Sequence, residues 1–108
     1  MYLPNKYTNF ASDYPEIFEA YKKMGTLARE AGPLDEKAQN LVKLGIAVGA
    51  NSRGGVMSHT RKAIESGATK EEVKHAVLLS LSTTGFPNMI AAMYWVDEVF
   101  QKGEEKNK

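Results

Sequence analysis

Apolar residues recur three and four positions apart along most of the chain, and two-residue alternation is absent, so helices are predicted throughout. The first stripe is Tyr14, Ile17, Phe18, Tyr21, Met24, Leu27, Ala28 and Ala31. It predicts a helix capped by Ser12 or Asp13, with Pro15 in its first turn and Gly32-Pro33 as its stop. A second helix is predicted from Asp35 to about Ala50 and is apolar on most sides from Leu41 onward. Gly45 and Gly49 lie one turn apart inside it. Each costs about 1 kcal/mol relative to alanine there, so close approach of another backbone is expected.

The third predicted helix runs from about Gly55 to Ser66, with Gly67 ending it. On a wheel of about 100° per residue, Val56, Thr60, Ala63 and Ile64 face inward, and Ser58, Arg61, Lys62 and Glu65 face out. Thr69 followed by Glu72 reads as a capping box opening a fourth helix, Lys70 to about Thr84. Gly85-Phe86-Pro87 breaks it, and a fifth helix follows from about Pro87 to Gln101. The expectation is an all-α protomer of about five helices. Two of these are apolar on most sides and cannot both be central, so the protomer is expected to form a homo-oligomer.

At 108 residues the length predicts one domain, 1–108, whose polar end, 102–108, is expected to fray. The 14 basic and 13 acidic residues are spread along the chain and leave a net charge of +1. That balance argues against a nucleic-acid partner and against an electrostatic membrane anchor. The longest apolar tract, "LVKLGIAVGA", is about half the length that spans a bilayer and carries Lys43. A cytoplasmic protein is the expectation. Without cysteine there is no disulfide, thiolate metal site or thiol catalysis.

Candidate chemistry centres on "NSRGGVMSH", residues 51–59. His59 falls at the edge of the third helix's inward stripe, where a ring with an ordinary pKa of about 6.5 suits proton transfer. The N–H groups of a helix opening after Gly54-Gly55 favour an anion, and Arg53 can hold a carboxylate bidentately. The pattern therefore nominates His59 as a catalytic acid/base, with Arg53, Gly54 and Gly55 binding a small carboxylate-bearing substrate. The same residues also suit packing roles, with Gly54-Gly55 as a helix stop. His75 reads as structural or as an interface residue. Two histidines without a carboxylate motif do not make a metal site, and no cofactor is expected.

"NSRGGVMSHTRKAIESGATKEEVKHAVLLSLSTTGFPNMIAAM" resembles the carboxymuconolactone decarboxylase family, which includes the alkylhydroperoxidase D-like proteins. The resemblance rests on His59, Ala63, Gly67, Thr69, Glu72, Val73, Gly85, Pro87 and Ala91, and covers a core of residues 34–99. It implies an all-α fold in trimers or hexamers. Peroxidase-type members carry Cys-x-x-Cys where this chain has Ser52 and Gly55, and a glutamate where it has Asn40, so peroxidase (peroxiredoxin-type) chemistry is not expected. Decarboxylase-type members keep the histidine and the glycine-proline turn without the cysteines. The resemblance thus implies a lyase using His59, although the glutamates that usually precede the histidine are replaced by "GGVM". The alternative is a non-catalytic binding or assembly protein that retains the fold.

Overall fold

In the computed structural model, the backbone is described for residues 5–106 and the side-chain surroundings for residues 9–103. Among the described residues seven helices follow one another: α1 (Asn5–Asp13), α2 (Pro15–Glu30), α3 (Glu36–Gly49), α4 (Arg53–Glu65), α5 (Lys70–Leu78), α6 (Leu81–Thr84) and α7 (Phe86–Lys106). No strand occurs among the described residues. The chain divides into two compact units, residues 1–33 and 34–108.

In the first unit, the predicted start of α2 is corrected. Ser12 and Asp13 belong to the end of α1, a helix the apolar pattern did not announce. Tyr14 occupies the N-cap without a side-chain hydrogen bond, and Pro15 takes the first helical position as expected. The Tyr14 N–H donates to the Phe10 carbonyl, and its own carbonyl accepts from Phe18. Its ring lies 5.4 Å from that of Phe10. No residue of α2 is buried, and Ile17 and Met24 stay 59% and 66% exposed.

The second unit carries the core. Leu44 and Val48 of α3, Val56 and Ala63 of α4, Val73 and Val77 of α5, and Ala92 and Val96 of α7 are completely buried. Local chemistry fixes the ends of these helices. Asp35 caps α3 by accepting from the Ala38 N–H at 2.8 Å, and the Thr69–Glu72 capping box opens α5. Asn51 turns the chain between α3 and α4 with φ 54°, a conformation asparagine tolerates better than most residues. Asn88 of α7 donates at 2.8 Å to the Val48 carbonyl near the end of α3.

The predicted fourth helix is two helices. The Ser80 hydroxyl donates to the Val77 carbonyl at 2.7 Å, and the Ser80 N–H bonds the same carbonyl, tightening the turn between α5 and α6. The inward face of α4 is also adjusted: Val56, Thr60 and Ala63 are buried, but Ile64 is 38% exposed.

The glycines exchange roles relative to expectation. Among the described residues, a Cβ on Gly45 would meet nothing within 4 Å, and one on Gly49 only the Thr84 methyl at 3.8 Å. Close packing falls at Gly55 instead, where a Cβ would stand 2.9 Å from Ser52 Oγ and 3.1 Å from Ala47 Cβ. Helices α3 and α4 therefore approach through Gly55, whereas Gly54 beside it faces open space.

Gly55→Ala is expected to destabilise the fold by about 1–3 kcal/mol through overpacking of this seam. Gly54→Ala is expected to be neutral or to stabilise by up to about 1 kcal/mol. Urea unfolding midpoints check both; the opposite order contradicts the close approach of α3 and α4.

Candidate functional site

Helix α4 begins two residues earlier than the sequence suggests, and this changes what its start offers. Ser52 is the N-cap, and its Oγ accepts from the Gly55 N–H at 3.1 Å. That donor is therefore used within the chain. The N–H groups of Arg53 and Gly54 remain the donors of the first turn without an intrahelical acceptor. The Arg53 side chain reaches α7 and pairs with Glu98, Nη2 to Oε2 at 2.8 Å. With the two side chains 59% and 39% exposed, this pair contributes at most about 1 kcal/mol.

His59 lies further along α4, about 9 Å from Arg53 at 1.5 Å of rise per residue. It is half-buried, as its place at the edge of the inward stripe predicts. Nδ1 is buried and has no hydrogen-bond partner among the described residues. A protonated ring would have to bury an unsatisfied Nδ1–H donor, whereas the neutral ring can keep its proton on Nε2. Burial lowers the His59 pKa below the ordinary 6.5, and the positive charges of Lys62 and Lys43 lower it further. At neutral pH the ring is therefore an uncharged base.

These two lysines escaped sequence reasoning. Lys62 follows His59 by one turn on α4 and is exposed, while Lys43 is half-buried on α3. Asn40, where the family resemblance implies a glutamate in redox-active members, stands on α3. Its Nδ2 donates to the Lys62 carbonyl at 3.3 Å and to Ser66 Oγ at 3.1 Å, so it ties α3 to the end of α4.

The remaining candidates lie elsewhere. His75 is exposed and lines a cleft of about 510 Å³ with Leu41, Val42 and Gly45 of α3, together with Leu79, Ser80 and Thr84. His59 does not line it. On the α3 wheel, Leu41 and Gly45 sit about half a turn from Lys43 and Ala47, so the cleft and the imidazole use opposite faces of this helix. Thr84 thus belongs to the cleft side, and Ser82 is exposed. Among the described residues, no cluster of three histidine or acidic side chains is arranged to hold a metal ion, and no helix is long and apolar enough to cross a membrane.

The family model for the carboxymuconolactone decarboxylase family matches residues 15–98. Nitrosuccinic acid decarboxylase npaB of Metarhizium robertsii is 35% identical over 86 residues, which cover 76% of this chain. The matched part spans only 59% of that relative's length. An uncharacterized protein of Methanocaldococcus jannaschii is 32% identical over 85 residues, covering 79% of each chain. Among solved structures, a carboxymuconolactone decarboxylase family protein from Legionella pneumophila superposes with a TM-score of 0.80 at 23% identity. That superposition covers 90% of this chain and 86% of the other, and it shows a shared fold. With the matched stretch running from Pro15 to Glu98, the chain belongs to the carboxymuconolactone decarboxylase family, as a member without cysteine.

Proposed function

We propose that the protein performs decarboxylase-type acid/base chemistry on a small carboxylate-bearing substrate, with His59 transferring the proton. The observation that carries this is the state of His59: half-buried, uncharged at neutral pH, with its Nδ1 sheltered and two ammonium groups near enough to act on it. In such a reaction the bond from a substrate carbon to its carboxylate breaks, carbon dioxide leaves with neither of the bonding electrons, and the pair left on carbon takes up a proton. His59 delivers that proton and recovers one from water. A bound anion offsets the lysine charges and so favours the protonated ring when the proton is needed. No thiol takes part, since the chain has none.

Of the expected carboxylate-binding residues Arg53, Gly54 and Gly55, the last has its N–H taken by Ser52, so Arg53 and Gly54 are proposed to hold a carboxylate at the end of the substrate remote from His59. Their distance along α4 and the existing Arg53–Glu98 and Gly55–Ser52 bonds limit them to that role. Nitrosuccinic acid decarboxylase among the relatives supports testing nitro and lactone dicarboxylates together.

The protomer is further proposed to assemble with copies of itself as a trimer or hexamer. Ile46 and Leu79 are 66% and 60% exposed, and Gly45 bears a helix-interior cost with no neighbour among the described residues that requires it. A second functional reading, a non-catalytic binding or assembly protein, draws on the cleft, which lies away from His59.

Purified protein is expected to release carbon dioxide from γ-carboxymuconolactone or nitrosuccinate, and His59→Ala to lower that rate by about 100-fold or more. Full turnover by His59→Ala contradicts His59 as the acid/base, and no turnover by the unaltered protein on either acid favours the non-catalytic reading. Light scattering after size exclusion is expected to give a trimer or hexamer, and Gly45→Leu to shift it toward smaller species; a monomeric unaltered protein contradicts assembly.

His59 also carries a stability signature. Its folded pKa is depressed, so the unfolded chain binds more protons between the folded value and 6.5, and stability rises with pH across that window. As pH falls through it, the contribution of the neutral ring is lost. His59→Gln is expected to flatten this slope in pH-dependent unfolding midpoints, and an unchanged slope contradicts a depressed His59 pKa.

A further inference from the structure

The cleft beside His75 takes no part in the chemistry proposed for His59, which uses the opposite face of α3. Its volume of about 510 Å³ suits a small-molecule site. Leu41 and Val42 on the α3 side and Ala76 and Leu79 on the α5 side make its apolar walls. Gly45 adds no side chain to the α3 wall, and among the described residues nothing stands within 4 Å of where its Cβ would be. The hydroxyls beside these walls direct their protons into the protein. Ser80 Oγ donates to the Val77 carbonyl at 2.7 Å, Thr83 Oγ1 to the Leu79 carbonyl at 3.3 Å, and Thr84 Oγ1 to Asn88 Oδ1 at 2.6 Å. The last direction is fixed because Asn88 Nδ2 is itself the donor to the Val48 carbonyl. A hydroxyl has one proton and two lone pairs, so these oxygens meet a ligand as acceptors. Glu72 is the acid of the cleft, and both its oxygens are engaged, by Lys37 Nζ at 3.1 Å and by the Thr69 N–H at 2.9 Å. His75 adds a ring that carries at least one N–H in either protonation state.

We infer that this cleft binds an uncharged small molecule with an apolar body and a hydroxyl head, an alcohol or a phenol. The site goes beyond the proposed acid/base chemistry and is independent of it. A hydroxyl complements both kinds of partner present: its proton goes to an acceptor oxygen of Ser80, Thr83 or Thr84, and its own oxygen accepts from the His75 ring. A carboxylate has no proton to give those oxygens and meets the charge of Glu72. An alkylammonium brings donors, but it would leave water for mostly apolar walls, where the Glu72 carboxylate is already held by Lys37. An apolar face of a second copy brings no donor at all, and Ile46, on which assembly is proposed, does not line the cleft. The two faces of α3 thus select different classes of molecule, an anion on the His59 side and a neutral hydroxyl compound in the cleft.

The test titrates the protein with para-ethylphenol and follows its backbone amides by two-dimensional NMR. The amides of Leu79, Thr83 and Thr84 are expected to shift. Two comparators, para-ethylanisole with the same body but no proton to donate, and the anion para-ethylbenzoate, are each expected to bind about fivefold more weakly or worse. Ser80→Ala or Thr83→Val is expected to weaken para-ethylphenol by about fivefold while leaving para-ethylanisole within about twofold. A merely loosened fold would weaken both ligands alike. Thr83→Ser, which keeps the oxygen, is expected to bind as the unaltered protein does. Equal binding of the phenol, the anisole and the benzoate overturns the proposal, as does phenol binding untouched by both Ser80→Ala and Thr83→Val. Absence of these shifts in the unaltered protein also overturns it, and a lowered assembly mass in Gly45→Leu then assigns the cleft to a second copy.

Discussion

The close approach of α3 and α4 at Gly55 is the constraint on which the candidate site depends. Any side chain there would press on Ser52 Oγ and Ala47 Cβ, so glycine sets the spacing of the two helices at this end. The Asn40 amide ties the other end to Lys62 and Ser66. Between these two fixed points the register has little freedom, and it places the half-buried His59 on the α3 side of α4. The same Ser52 that crowds Gly55 also caps α4, so the start of the helix and the seam are one local device. An N–H expected to greet an anion is instead part of that device.

Much of the fold was legible because single-helix periodicity and punctuation carry it. Asp35, the Thr69–Glu72 box, Gly67 and the Gly85 turn sit where their chemistry requires. What escaped was set by contacts between elements or by competing side-chain hydrogen bonds. Ser80 interrupts an otherwise continuous apolar pattern by bonding the Val77 carbonyl, which periodicity does not register. Tyr14 joins α1 to α2 through main-chain bonds and a ring contact, displacing the more obvious caps Ser12 and Asp13. Gly45 and Gly55 carry the same intrinsic cost, and only their neighbours tell a cleft wall from a packing contact.

The site was legible in part for the same reason. His59 stood out by its position on the wheel and by family resemblance, and its half-buried state follows from that position. Arg53, Gly54 and Gly55 stood out as a linear motif, yet their side-chain and backbone partners come from Glu98 and Ser52. Lys43 is sixteen positions upstream of His59 and inside an apolar run. Its relation to the imidazole exists only through the antiparallel register of two helices, which no local pattern encodes.

Family membership supplies a scaffold whose members include decarboxylases, and this chain lacks the sulfur that other chemistry on the same scaffold would use. What remains at the corner is a neutral imidazole among positive charges, the setting on which the proposed anion binding and proton transfer rest. The most direct measurement is a crystal structure of the protein grown with a dicarboxylate. The account predicts a carboxylate oxygen within hydrogen-bond distance of the His59 ring. A dicarboxylate bound only at Arg53, or only in the cleft beside His75, contradicts it.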